Sequence, residues 1–266
     1  MKFFKKKKKQ AILREPRLDG SSVELFYWTP PSGIHNFGDH LSKIIVTKLL
    51  ADQGLFLEQE TSKKARMLAI GSILHFANDQ NTIWGTGING KTNTNSYNFN
   101  ELDVRAVRGP KTREFLMEKG ITVPEIYGDP ALLCKALLPN TQATDKKRKL
   151  LFVPNLNDDT YPKGVEVLSP LLPWNRCIKE ITSSEFVLAS SLHAIVIAEA
   201  YGIPARYLRI SEVESLFKYE DYVLGTGRKS LEFATSVEEA KEMGGMPKIS
   251  FSSEKLIGAF PYDLWS

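Results

Sequence analysis

Cysteine is nearly absent from this 266-residue sequence: Cys134 and Cys177 stand 43 positions apart, and no CxxC pair occurs. That excludes a thiolate zinc knuckle or a dithiol redox motif and predicts two packed thiols in a reducing, cytoplasmic compartment. Long apolar runs are missing too. The longest, Phe186–Ala198, is broken by Ser190, Ser191 and His193, well short of the about 20 residues that a bilayer-spanning helix needs. No signal-peptide core follows the lysines at the start. The turn Gly85-Thr86-Gly87 lacks the rest of a Gly-rich nucleotide fingerprint. His35 and His40 lie near Asp39 without a third ligand at zinc spacing, so no metal is expected.

An excess of charge on the folded body is absent as well. The net charge is +4, but Lys2 and Lys5–Lys9 supply six positive charges, leaving −2 for the remainder. A nucleic-acid groove would need the reverse, so no nucleic-acid partner is expected. Residues 1–20 read as a basic tail. The Lys5–Lys9 run has two readings: a solvated tail without function, or, with Phe3 and Phe4, peripheral contact with an anionic membrane on its inner face at roughly 1 kcal/mol per charge.

What is present is a repeated idiom of short apolar strand, polar or glycine turn, and amphipathic helix, the signature of a parallel α/β sheet. Strands are predicted at Val23–Trp28, Met67–Ile70, Thr82–Trp84, Asp103–Arg108, Leu150–Val153, Val165–Leu168, Glu185–Ala189 and Ala205–Ile210. Helices are predicted at Leu41–Leu50 with Asp39 as N-cap, from Pro110 to Lys119, and at Ala131–Leu138, Trp174–Thr182 and Ala194–Tyr201. The polar stretch 141–149 reads as a linker. It divides an N-terminal Rossmann-like domain (21–140) from a C-terminal one (150–266), giving two doubly wound α/β domains that face a cleft.

In such sheets ligands bind beyond the carboxyl ends of the strands, where helix N-termini present unpaired N–H groups. Four turns carry suitable side chains there. Asn36, Gly38 and Asp39 lie in the first, Arg108 in the second, Asp129 in the third, and Ser190, Ser191 and His193 in the fourth. Arg108 offers a guanidinium fork for an anion. His193, in the first turn of its helix, would take a proton when an anionic ligand arrives and then act as an acid. The simplest role of Asp39 and Asp129 is helix capping. Trp28, Tyr27 and Trp84 are strand-end aromatics that a sugar ring can stack on.

The ordered set HNFGD (His35–Asp39), AIGSIL, WGTGI, AVRGPKT (Ala106–Thr112), YGDPALL (Tyr127–Leu133) and SSLHAIVIAEAYGIPAR (Ser190–Arg206) resembles the polysaccharide pyruvyl transferase family over roughly residues 23–210. The resemblance implies a two-domain fold similar to glycosyltransferase-B enzymes, and phosphoenolpyruvate as donor with no other cofactor. It also implies a glycan acceptor, polymeric or lipid-linked, whose hexose hydroxyl pair receives a pyruvate ketal. By position it assigns donor-site roles to Arg108 and His193, and Asp39 is a candidate base or acceptor-orienting group. Family members often carry an arginine where this chain has Ser191. Lys218 and Arg228 are the foremost candidates to replace that cation, with Arg206 and Arg209 also available. The competing readings are a nucleotide-sugar glycosyltransferase and a non-catalytic scaffold for glycan assembly.

Overall fold

The computed structural model describes residues 21–266; the lysine run lies outside the described residues. In chain order the elements are β1 (Val23–Phe26), α1 (Phe37–Asp52), β2 (Ala65–Leu68), β3 (Thr82–Trp84), β4 (Asp103–Ala106), α2 (Pro110–Glu118), α3 (Cys134–Leu137) and β5 (Arg148–Val153). They continue with β6 (Glu166–Val167), α4 (Trp174–Thr182), β7 (Ser184–Ala189), α5 (Leu192–Ala200), β8 (Ala205–Tyr207), α6 (Phe217–Gly225), α7 (Val237–Met243) and α8 (Ser253–Gly258). Two four-stranded parallel sheets result, in the orders β1-β2-β3-β4 and β6-β5-β7-β8.

The second sheet has the reversal of strand order that defines double winding, between β5 and β7. The first does not, so the expectation of double winding is corrected for that half. Its strands follow in sequence because the β2–β3 and β3–β4 connections carry only short 3-10 turns, Leu74–Phe76 and Thr94–Ser96. No full crossover helix lifts the chain back over the sheet.

Strand residues alternate between two buried faces, as a parallel sheet covered on both sides requires. Met67 and Trp84 point into one large core while Leu68 and Ile83 point into a second. Leu151 and Val153 join the same large core as Met67, whereas Phe152 and Leu188 meet Ala234, Val237 and Ala240 on the far side of the second sheet. The large core therefore belongs to both sheets at once, with α1, α4 and α5 between them.

Three contacts tie the halves further. Asp221 of α6 accepts from Thr112 N–H of α2 at 2.9 Å. Trp84 Nε1 donates to the Leu256 carbonyl at 2.9 Å. Arg105 forks onto Asp263 at 3.0 and 2.8 Å. The end of the chain thus returns to the N-terminal sheet. Among the described residues no helix is long and apolar enough to cross a membrane.

Candidate active site

A cleft of about 280 Å³ opens where the carboxyl ends of the two sheets face each other. From the second sheet it takes Asn155, Leu156 and Asn157, just after β5, and Ser191, Leu192 and His193, just after β7. These flank the strand-order reversal, the place where a parallel sheet leaves a crevice. From the first half come Trp28, Asn36, Asp39, Ser72, Ile73, His75, Phe76, Asn89 and Lys91, and from the α6 side Glu214 and Lys218.

Local hydrogen bonding fixes the second wall. Ser190 Oγ accepts from Asn155 N–H at 2.9 Å and donates to Asp158, whose other oxygen accepts from Ser211 at 3.2 Å. Tyr219 donates its hydroxyl proton to the Ser190 carbonyl. Ser190 therefore ties the β5 and β7 turns together from below. Ser191, 6% exposed, is the N-cap residue of α5 and makes no side-chain cap bond, so its hydroxyl is left to the cleft.

His193 follows within the first turn of α5. A Cβ built on Gly38 would fall 2.1 Å from its Nδ1, so the imidazole lies directly on the α1 backbone and only glycine fits there. Its Nε2 is buried without a hydrogen-bond partner, 3.8 Å from Asp129 Oδ2, itself buried and unpartnered. Burial pushes the imidazole down to about 3, helped by the positive charges of Lys218 and Arg108. At neutral pH the ring is therefore uncharged.

The first turn of α1 was expected to begin with Asp39 as cap. That is corrected: the cap is Asn36, whose Oδ1 accepts from Gly38 N–H at 3.0 Å, and Asp39 sits inside the helix. Freed from capping, its carboxyl reaches toward Gly71. Burial lifts it to about 7, against the opposing pull of Lys218 and with a further push from Asp129. Asp129 does cap, Oδ1 accepting from Ala131 N–H at 2.9 Å, and burial raises it to about 6.

The cations divide sharply. Lys218, 7% exposed, and Lys91 line the cleft and share one carboxylate, Glu214, which also accepts from Asn157 at 2.9 Å. Burial alone would raise Glu214; the charge of Lys218 and hydrogen bonds from Lys218, Lys91 and Asn157 bring it down to about 2. For Lys218 burial outweighs the one partner, and its ammonium is pushed below the usual lysine range.

Arg108 lies beneath the cleft, fully buried. It donates to Asp221 at 3.1 Å, to Ser72 Oγ at 2.6 Å and to the Ile88 carbonyl at 2.7 Å. A Cβ at Gly87 would come 2.6 Å from its guanidinium carbon. The AIGS, WGTG and RGP motifs are therefore one joint built around this side chain, and Arg108 reaches the cleft through Ser72.

The structure does not bring Arg228 to the cleft: both terminal nitrogens bond Glu199, at 2.6 and 3.1 Å. Arg206 is bound to carbonyls of residues 243–245, and Arg209 lies over Phe233. Trp84 is core, packed edge-on against Phe260, whereas Trp28 lines the cleft. Among the described residues no three His, Cys, Asp or Glu side chains converge as metal ligands. Cys134 and Cys177 are buried thiols.

Sequence reasoning did not single out Lys91, Glu214, Asn155, Asn157, Asn89 or His75. Asn155 and Asn157 were findable, since they follow a predicted strand at the carboxyl edge. Lys91 and Glu214 sit in irregular loops, where no periodicity marks them.

Comparison with known proteins agrees with this arrangement of motifs. The family model for polysaccharide pyruvyl transferase matches residues 36–212. The succinoglycan biosynthesis protein ExoV of Rhizobium meliloti (strain 1021) is 27% identical over 215 residues, 76% of this chain and 64% of the relative. The chain thus spans less than two thirds of the length of that curated relative. A solved structure of an uncharacterized Klebsiella pneumoniae protein aligns over 82% of this chain and 94% of its own, at 12% identity and a TM-score of 0.47. With its matched segment running from the Asn36 cap past the His193 helix and over well more than half of its length, the chain belongs to the polysaccharide pyruvyl transferase family.

Proposed function

We propose that the cleft binds phosphoenolpyruvate and transfers its pyruvyl group to two hydroxyls of a hexose in a polysaccharide or its lipid-linked precursor. Family membership supplies the transferase class. One observation carries the finer reading: Lys218, Lys91 and the N-terminus of α5 converge on a buried, neutral histidine at the strand-order reversal.

Phosphoenolpyruvate carries a phosphate and a carboxylate close together. Here they meet two ammonium groups and the unpaired amides at the start of α5, which favour an anion. The α5 start and Lys218 provide the positive charge that an arginine at Ser191 would supply. Glu214 pairs with both lysines and cancels only one of their two charges, so a donor carboxylate competes with a protein carboxylate for the same two cations.

Donor binding brings negative charge to His193 and offsets the repulsion from Lys218 and Arg108, so the ring takes up a proton. Nε2 faces Asp129, leaving Nδ1, on the Gly38 side, to serve the donor. The proton passes to C3, making the methyl group, while one sugar hydroxyl attacks C2 and gives its proton to ionised Asp39. The second hydroxyl then displaces phosphate from C2, and its proton leaves with the phosphate. The proton held by Asp39 replaces the one the imidazole gave up when the next donor enters. Two C–O bonds and one C–H bond form, while the C2=C3 π bond, the C2–O bond to phosphate and the two sugar O–H bonds break, with no change of oxidation state overall and no need for a metal or second cofactor.

Trp28, with Asn36 and Asn89 nearby in the lining, gives a sugar an aromatic face and amide partners. The two halves facing one cleft support an arrangement similar to glycosyltransferase-B enzymes, with the acceptor on the side of the first sheet. Peripheral contact of the Lys5–Lys9 run with anionic lipid would bring a lipid-linked acceptor to this cleft.

The test is release of phosphate from phosphoenolpyruvate in the presence of a panel of glycan acceptors, alongside thermal-shift titrations with phosphoenolpyruvate and nucleotide sugars. Acceptor-dependent release with donor stabilisation is the expected result. Stabilisation by a nucleotide sugar alone would move the chain to glycosyl transfer, and no release with any acceptor would favour a scaffold.

A further inference from the structure

The structure leaves two buried polar atoms facing each other with nothing else to bond. His193 Nε2 and Asp129 Oδ2 are 3.8 Å apart, and neither has a hydrogen-bond partner. Buried polar atoms are rarely left so. Asp129 is completely buried at the start of the Pro130–Leu133 turn, and its Oδ1 already accepts from Ala131 N–H. A cap needs only that one oxygen. The second one points at the imidazole.

We propose that Asp129 is the positioning residue of His193: Oδ2 orients the ring through Nε2 and balances the charge the ring acquires when an anionic donor enters the cleft. At 3.8 Å the two atoms are beyond hydrogen-bond range. Closing that gap by under 1 Å makes a charge-assisted bond, and catalytic contacts that are long in an empty site commonly tighten on ligand binding. The Gly38 backbone confines the opposite edge of the ring, so the contact with Asp129 decides which nitrogen carries the fixed proton. Nδ1 is then left as the transferring nitrogen.

The charged groups around this pair are arranged for such a role. Lys218 from α6 and Arg108 from the end of β4 oppose protonation of His193. Asp39 from α1 is the nearby second carboxyl, and Asp129 makes it harder to ionise. Glu214 lies beyond, on Lys218, and Tyr222 and Cys134 face Asp129 as neutral groups. Asp129 is therefore the carboxylate in position to accept from the imidazolium at Nε2.

This inference rests on the reading of His193 as the acid, and its test separates the two. Asp129→Asn keeps an oxygen for the Ala131 cap and removes the charge; Asp129→Ser is the second variant, also a competent cap. The imidazole signals of the native chain and both variants are followed by NMR from pH 4 to 9, with saturating phosphoenolpyruvate and separately with inorganic phosphate. His193→Gln identifies the His193 signal among the four histidines.

The expected result is a His193 midpoint lower by about one pH unit or more in the liganded variants than in the liganded native chain. The kcat for phosphate release should fall by about 10-fold or more, with a shifted pH profile and a KM changed by less than about threefold. An unchanged His193 midpoint, or a loss of activity with an unshifted pH profile, would overturn the inference and leave Asp129 a turn cap. Full activity in His193→Gln would instead overturn the acid role of His193, while the midpoint comparison still decides whether Asp129 governs the ring.

Discussion

Two buried ion pairs stand at the cleft between the halves, one beneath it and one in its wall, and they differ in what they leave free. Arg108–Asp221 is sealed: both residues are fully buried, the guanidinium also binds Ser72 and Ile88, and Asp221 takes two more bonds from Thr112. Lys218–Glu214 lines the cleft, and its carboxylate is shared with Lys91 and Asn157. In the first pair each guanidinium nitrogen has a partner, and the pair holds a joint. The second places two ammonium groups beside one carboxylate in a cavity, and so has positive charge to offer a ligand. A strand-end arginine before a helix suggests a ligand contact; whether it acts as one depends on what else its fork meets.

The comparison is broken most severely at Arg108. Arg108→Ala strands the Asp221 carboxylate in the core, and removing one member of a buried pair costs about 3–5 kcal/mol. The melting temperature should drop by roughly 10 °C for a chain of this size. Arg108→Lys keeps the charge without the fork and should recover only part of that. An Arg108→Lys variant with native melting behaviour but no donor binding would make Arg108 a direct ligand instead.

His193→Gln should lower turnover by about 10²- to 10⁴-fold, the usual contribution of a placed acid. Its melting temperature should hold or rise, since the ring has no hydrogen bond to lose at Nε2. Steady-state kinetics and a melting curve on the same sample check both halves of that statement.

Glu214→Gln sharpens the contrast between the pairs. The apo protein should lose about 1–3 kcal/mol, because the lysines lose their counter-charge, yet phosphoenolpyruvate or phosphate should raise its melting point more than it raises the native one. Arg108–Asp221 variants should show no such ligand rescue. Equal ligand-induced shifts in native and Glu214→Gln protein would mean that Glu214 does not compete with the donor.

The most gradual effect, spread over several pH units, concerns Asp39. A carboxyl held at about 7 instead of 3.8 binds its proton more tightly in the native chain. Its contribution therefore favours the folded state below about pH 4 and is lost as the pH rises through about 7. Asp39→Asn removes that titration, so the variant should gain on the native protein as the pH rises from about 4 to about 7, by roughly 1 kcal/mol per pH unit. Melting curves at pH 5 and pH 8 give the difference directly.

The alternation of strands and helices was legible because burial on both faces writes continuous apolar runs. Trp174–Thr182 appears as predicted, and Ser184–Ala189 differs from its predicted span by one residue. The helix after the first strand begins at Phe37 instead of Leu41 because Asn36 is the cap, and a glycine in its first turn masks the start. That glycine is there for the His193 ring, a long-range reason no local pattern contains. Ala131–Leu138 reads as one helix, but the chain takes a 3-10 turn before a single α-helical turn.

Within the cleft, Asn36, Asp39, Ser191, His193 and Lys218 could be found from turns and motifs. The glutamate that unites the lysines could not. Lys91, Asn157, Glu214 and Lys218 are brought together by tertiary contacts across as many as 123 positions, and the strand order that opens the crevice is not written in any one segment.

The most direct test of the account is a calorimetric titration of phosphoenolpyruvate into the native chain and into Lys218→Met. Phosphoenolpyruvate should bind the native chain and bind the variant about 10-fold or more weakly, because the buried ammonium that faces the cleft is gone. Equal affinity in the two proteins, or no binding to the native chain while a nucleotide sugar binds, would contradict it.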